Sequence, residues 1–557
     1  MGGVPKAGKK FYSMKFRNFI NSHLTPVSAL IAFEMASVFL MSAGFIPREF
    51  SLFLLAAILI FSIFSSLKEG LKFFVFSIPF FVSLAVSDSF DSMSSWRVVL
   101  LVLFLKSVWV FLGDGKSAVR RSKALLLSCL KNHFFLILAV FFLIGFASLF
   151  VSEQPIYGIK KIIFLANISA LFFVVYAAVK NREDIMEIMR FAFAGSLSAL
   201  FIGYGQFIAT LFLPLFVFWK WWASHVIPVF YGNNLGDLLS YSNTWFSYYE
   251  DADATLRIFS VFPDSHSFAL SMLISIPIAV AYFVVEKERG ARKLFFGVIS
   301  ALYLMSIIFS GTRGIWVGAA PVFLLCLAVL FLPKSCNKIL ENCFGGIFAA
   351  ILEARRHIKI GIISILIFFA FFPAVSQFLE VSQILQGGRI SSSSTFERIS
   401  SSLNRREISN RGRIEIWKST WNSISERPWL GVGIGNYPAV LGENLSSTKE
   451  GASAHSLYLD VAAETGIFGV AALLLLFAEI FWMAIRTSVT VKDKFPSLFS
   501  GLFAVYFVWV MAYSVVDVAL LNDKVLLFFV VSVALIHSIS LKSGYKKQAT
   551  NRGLNEF

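Results

Sequence analysis

The sequence predicts an all-α, polytopic integral membrane protein with about 14 (12–14) transmembrane helices, both termini cytoplasmic, and a large, partly helical extracytoplasmic loop. Three observations carry that expectation. Hydrophobic residues make up 57% of the 557 and charged residues only 15%, whereas a soluble domain carries about 25% charged residues. Mean hydropathy is +0.75. Apolar runs near the ~20 residues that a spanning helix needs recur along the whole chain, separated by segments that differ sharply in Lys and Arg content.

Residues 1–26 are basic and lack an apolar core followed by a small-residue cleavage site, so they read as a cytoplasmic tail. An N-terminal transmembrane bundle over 27–218 follows, with runs at 27–46, 50–66, 71–87, 96–112, 134–150, 162–179 and 191–218. Residues 219–265 form an extracytoplasmic loop that opens on Trp219, Trp221 and Trp222, the composition of an interfacial aromatic belt. Further spans fall at 266–285, 294–310, 315–332 and 358–378, with Arg313 at their outer face. A large extracytoplasmic loop, 379–465, precedes spans at 466–485, 496–514 and 525–541, and 542–557 is a second cytoplasmic tail.

Orientation follows from charge. With the N-terminus inside, inner segments hold 31 of the 49 Lys and Arg, among them Lys6, Lys9, Arg120, Arg121, Arg289, Arg292, Arg355 and Arg356. Outer segments hold 17, nine of them in the 379–454 stretch, and Lys106 lies inside a span. The excess of inner charge fixes the orientation and accounts for the net charge of +16 without nucleic acid, for which no reading module is present. Cys129, Cys326, Cys336 and Cys343 include no second ligand pair at zinc spacing and read as structural thiols.

The one outer loop that breaks the charge rule is the informative one. It contains Arg389, Arg398, Arg405, Arg406, Arg411 and Arg413, either a solvated basic stretch or an anion site, since guanidinium forks match phosphate oxygens at two points. Arg413 and Trp417 are four residues apart, which puts them on one face of a helix expected to lie along the membrane surface. Gly431, Gly433 and Gly435 lack the βαβ setting of a nucleotide loop and suit a tight loop near a ligand. His455 and Gly466 are eleven residues apart, about three helical turns, and so are expected to share a helix face. Ser310-Gly311-Thr312-Arg313-Gly314 sits between two spans with almost no loop, and a charge at that depth is a functional candidate unless it is a lipid-headgroup anchor. Arg257, Arg313, Arg413 and His455 thus come from distant sequence to one membrane face.

Ser310–Gly314, Gly412-Arg413 with Trp417, the Pro428-Trp-Leu-Gly-Val-Gly-Ile-Gly run, and His455-Ser456 followed by Gly466-Ile467 together resemble the O-antigen ligase family. Its superfamily also includes O-antigen and exopolysaccharide polymerases and protein O-oligosaccharyltransferases. The motifs cover about 257–470, and the chain is longer than the twelve-span core typical of lipopolysaccharide ligases. The resemblance implies an inverting, metal-independent glycosyltransferase of the bacterial inner membrane, acting on its periplasmic side. It would move a glycan from an undecaprenyl-diphosphate carrier to a hydroxyl of lipid A-core, or to a growing glycan if the chain is a polymerase. In that reading His455 is the general base, and Arg313, Arg413, Arg257 and Arg411 hold the diphosphate. No metal and no organic cofactor is expected. The paired carboxylates of a retaining mechanism are not evident, since Asp264 and Glu443 belong to no motif. A membrane transporter is the rival of a different class, with Glu34 and Glu479 as its candidate pathway groups.

Overall fold

The computed structural model describes residues 25–87, 91–112, 132–240, 245–249, 252–286, 290–332, 346–385, 408–441 and 453–552. Arg389, Arg398, Arg405, Arg406 and Glu443, and the thiols of Cys129, Cys336 and Cys343, lie outside them; Cys326 is a buried free thiol.

The apolar runs fold as helices in the expected order. The first are α1 (Pro26–Ser42), α2 (Phe50–Phe64), α3 (Leu67–Ser77), α4 (Trp96–Leu112) and α5 (His133–Ser148). Next come α6 (Pro155–Ala178), α7 (Arg182–Phe212), α8 (Leu215–Trp221) and α9 (Ile227–Ser240). A two-stranded antiparallel hairpin, β1 (Phe246–Tyr249) and β2 (Ala252–Leu256), precedes α10 (Ser265–Val285), α11 (Ala291–Phe309) and α12 (Arg313–Phe331). The chain ends in α13 (Gly346–Glu353), α14 (Arg355–Leu385), α15 (Ile408–Glu426), α16 (Leu457–Thr490), α17 (Lys494–Tyr513) and α18 (Asp523–Arg552).

Among the described residues, ten helices are long and apolar enough to cross a membrane, and α1 and α2 are shorter apolar helices. Length and composition of the described residues thus support ten spans and do not confirm the expected 12–14. The run at 71–87 shows one reason. Pro79 lacks an amide proton and constrains the residue before it. Helix α3 stops at Ser77, and the chain continues non-helically to an isolated bridge between Ser83 and Ser94. The boundaries elsewhere follow local chemistry: Asn181 and Asp184 make a reciprocal capping box at the start of α7. The Lys106 ammonium donates to the carbonyls of Ser62 (2.8 Å), Ile63 (2.9 Å) and Ser65, neutralising the C-terminus of α2. Lys106 is thus a cap reached from α4.

Helix α10 packs against α11, α17 and α18, and α16 packs against α5, α17 and α18. Helix α17 also packs against α12 and α14. Near its first turn Arg182 meets Asp493, and the same end of the bundle carries Lys68 against Asp184 (3.0 Å) and Lys72 against Glu187 (3.2 Å). Its last residue, Tyr513, lies ~30 Å away at the opposite end. That end gathers the N-termini of α10, α12 and α16.

Candidate active site

At the Tyr513 end, the Arg313 segment is a turn held from three sides. Gly311 adopts φ 64°, a left-handed conformation that favours glycine, and lets α11 reverse into α12. The Thr312 hydroxyl donates to the Ser265 carbonyl (3.4 Å), tying the turn to α10. The Ile258 amide donates to the Phe309 carbonyl (3.2 Å), which brings the Arg257 backbone beside the same turn. A Cβ on Gly314 would stand 2.9 Å from Val516 and 3.0 Å from Tyr513, so the first turn of α12 lies directly on the 513–516 segment. Arg257 and Arg313 are both half-buried.

The His455 segment is fixed with comparable care. His455 adopts φ 48°, one of two non-glycine residues with positive φ among those described. Such a conformation is strained and persists only where its surroundings hold it. The Trp417 indole donates to the Ala454 carbonyl (2.9 Å), the Ala454 amide donates to Asp460 (2.9 Å), and the Leu457 amide donates to the Ser514 carbonyl (2.9 Å). Asp460 and Glu464 in turn share Lys161, at 3.9 Å and 2.6 Å. Breaking so enclosed a pairing costs several kcal/mol, because it strands the remaining charge.

Residues Arg413 and Trp417 do lie on one helix, α15, one turn apart. Since Trp417 touches Ala454, its neighbour Arg413 comes close enough to act electrically on His455. Arg411, two positions away and so on the far side of the helix, is exposed and donates to Glu415 at 3.3 Å. Arg411 is thus placed apart from the other cations.

Two expectations about glycines are corrected. Ser456 is the N-cap of α16 and His455 precedes the helix, while Gly466 (φ 67°, ψ −167°) interrupts it. The two residues therefore share no helix face. Gly466 instead admits the 428–431 loop: the Ile467 amide donates to the Pro428 carbonyl at 2.8 Å. Gly431, Gly433 and Gly435 all have positive φ as a tight loop requires, yet what they approach is protein. Their neighbours are Ala463, Ser152 and Tyr157. The loop wedges α6 against α16, secured by Asn436, whose side chain accepts from the Gln154 amide (3.1 Å) and donates to Ser152 (2.6 Å).

The sequence reading missed a further pair. His266 Nδ1, at the first turn of α10, lies 2.9 Å from the Asp517 carboxylate and 2.8 Å from the Tyr513 hydroxyl. Asp517 also accepts from the Ala519 amide (2.8 Å). Burial alone pushes the Asp517 carboxyl up, but His266 and these hydrogen bonds outweigh it and hold the group down to about 2. Asp264, the N-cap of α10, accepts from the Ser267 amide (2.7 Å) and is shifted up by lost hydration and, more weakly, by Asp517. The surface of His455 is open, yet the protein packed around it strips much of its hydration. That desolvation, then Arg413, lowers its pKa; Asp517 acts in the opposite sense. His266 and Asp517 stand alone in sequence at opposite ends of two spans, and the helix-start pattern at Asp264 was the one local signal.

Arg413, His455, His266 and Asp517 therefore gather at one end of the bundle, with the backbones of Arg257 and Arg313 beside them, in a group linked through 309–313, 265–266, 513–517 and 454–457. It combines fixed guanidinium charge, one accessible imidazole biased toward its neutral form, and a second imidazole oriented by a carboxylate. Among the described residues, no group of three or more His, Cys, Asp or Glu could hold a metal ion. Residues 298–474 match the family model for O-antigen ligase. The matched segment carries Arg313, Arg411, Arg413 and His455, and it supports the resemblance read from the motifs. No curated protein matches the chain. The family match and the long apolar helices together support a multi-pass membrane enzyme of the O-antigen ligase or polymerase type.

Proposed function

From the match of residues 298–474 to the O-antigen ligase family, we propose that the chain transfers a glycan from a polyprenyl-diphosphate carrier to an acceptor hydroxyl. Lipid A-core would be the acceptor, and the site would lie on the periplasmic side of the bacterial inner membrane. The observation that carries this reading is the convergence of His455 with Arg413 and of Arg313 with Arg257 on one end of the bundle. The opposite end holds Lys68 and Arg182, which belong to segments read as cytoplasmic, and Lys72 at the adjoining edge of the 71–87 run.

The chemistry follows from the groups. The acceptor oxygen attacks the anomeric carbon opposite the diphosphate, and its proton passes to His455. The bond from that carbon to the phosphate oxygen breaks, and the lipid diphosphate leaves with one more negative charge. Arg313 and Arg413 hold that charge, with Arg257 beside them, and fixed cations aimed where charge develops are the strongest single source of rate. Displacement from the opposite face inverts the anomeric centre. His455 is accessible to a hydroxyl and is kept neutral by its surroundings, as a base requires. Arg411, exposed on the far side of α15 and paired with Glu415, is left out of this group.

Deleting the gene and examining surface glycans tests the reading. Loss of all polymer from the lipid anchor is the result expected of a ligase. Single repeat units capping the anchor would assign the chain to the polymerases, the alternative for which the Arg-rich outer loop leaves room. Unchanged glycans would refute both.

A further inference from the structure

Asp517 and His266 lie outside the segment that matches the family model, and the reaction outlined above gives them no task. Their geometry is nevertheless built. Asp517 is buried and receives three donors, namely His266 Nδ1 (2.9 Å), the Ala519 amide (2.8 Å) and the Tyr513 hydroxyl. The segment that holds it is joined to the His455 turn by the backbone bond from the Leu457 amide to the Ser514 carbonyl (2.9 Å). A buried carboxylate saturated with donors is costly to place, and this one stands where the imidazole of His455 feels its charge.

We propose that Asp517, clamped by His266, Tyr513 and the Ala519 amide, is a positioning residue for His455 and supplies the counter-charge for the imidazolium formed when His455 takes a proton. The proposal rests on His455 acting as the base. Proton uptake beside Arg413 is opposed by like charge, and Asp517 is the anion that offsets it. The balance is simple: the hydroxyl proton moves to His455, one positive charge appears there, and Asp517 remains a carboxylate throughout. The charged and titratable groups around His455 come from four places. They are Arg413 on α15, His266 on α10 with its N-cap Asp264, Tyr513 at the end of α17 with Asp517 beyond it, and Asp460 with Glu464 on its own helix α16, while Arg313 and Arg257 have their backbones at the same end.

Diethyl pyrocarbonate reads this directly, because it modifies neutral imidazole and His455 is accessible. The rate of modification of the His455 peptide, followed by mass spectrometry against pH on the full-length protein, gives its titration midpoint without any substrate. In Asp517→Asn, similar in shape but uncharged, the midpoint falls by about one pH unit as an opposite charge acting on it is removed. The acidic limb of transfer from a polyprenyl-diphosphate-linked oligosaccharide shifts down with it, and the plateau rate drops about tenfold as the base weakens. An unmoved midpoint overturns the proposal, as does a rate loss that is equal at every pH. Should Asp517→Asn not accumulate, Asp517→Glu answers the same question by displacing the charge one methylene. Midpoint and limb then move together, or both stay and the proposal fails. If His455→Ala retains full transfer, the reading of His455 as base falls. If His455→Ala is inactive while the midpoint in Asp517→Asn is unmoved, only the role of Asp517 falls.

Discussion

Replacing Gly466 by Ala separates the 428–431 loop from α16, and the size of the effect follows from the geometry. Gly466 sits at φ 67° and ψ −167°, a region that costs a residue with a side chain about 1–3 kcal/mol. The added Cβ would stand 2.1 Å from the Trp429 carbonyl oxygen, 2.2 Å from its carbon and 2.7 Å from the Leu430 nitrogen. All three are backbone atoms, so no side-chain rotation relieves the overlap and the loop must move. The movement strains the bonds from Ile467 to Pro428 and from Val432 to Ala463, each 2.8 Å and each worth about 1 kcal/mol. Local opening should thus become easier by roughly 3 kcal/mol or more. Because 1.4 kcal/mol is a factor of ten, amide hydrogen exchange in peptides covering 428–435 should accelerate at least about a hundredfold. Gly205→Ala is the control: its Cβ would meet nothing within 4 Å, and exchange at 428–435 should match the parent protein. Unaltered protection in Gly466→Ala would refute the claim that this glycine exists to admit the loop.

Lys161→Met leaves Asp460 and Glu464 without their cation and should destabilise the protein by about 3 kcal/mol; adding Glu464→Gln should recover part of the melting temperature, and no recovery would count against the pairing. Trp417→Phe removes the donor to Ala454 and should slow transfer about tenfold while leaving donor binding unchanged, which kinetics at saturating donor will resolve. Because the folded-state pKa of His455 is lowered, its stabilising contribution is complete above its ordinary value and is lost as pH falls through the lower one. The neutral base likewise persists there, so the acidic limb of the rate profile should lie below about 6.5; a limb above that value would argue for a different base. If arginines alone carry the diphosphate charge, chelation with EDTA should leave the rate within experimental scatter, and restoration by added magnesium would contradict this.

Much of this arrangement was legible in the sequence because membrane helices advertise themselves. Apolar length alone located most helices to within a few residues. The Arg413–Trp417 spacing placed those two side chains correctly on one helix. What failed did so for a physical reason. Hydropathy records that 71–87 is buried without saying that Pro79 ends the helix, so a half-length helix and an enclosed non-helical segment read as a full span. Helical periodicity carried His455 and Gly466 onto one face, but a backbone at φ 48° and another at φ 67° break that periodicity at both positions. The alternating glycines gave the correct backbone conformation and the wrong neighbour, because sequence shows that something approaches and not what. His266 and Asp517 went unseen since their pairing is a tertiary contact between isolated residues 251 positions apart (517 − 266).

The most direct measurement of the central claim is single-turnover transfer by the purified full-length protein in lipid nanodiscs. A labelled undecaprenyl-diphosphate-linked oligosaccharide serves as donor and lipid A-core as acceptor, comparing the parent with His455→Ala. The account predicts at least about a hundredfold slower transfer in the variant, with donor binding retained because Arg313 and Arg413 are intact. Equal rates in the two proteins would contradict it.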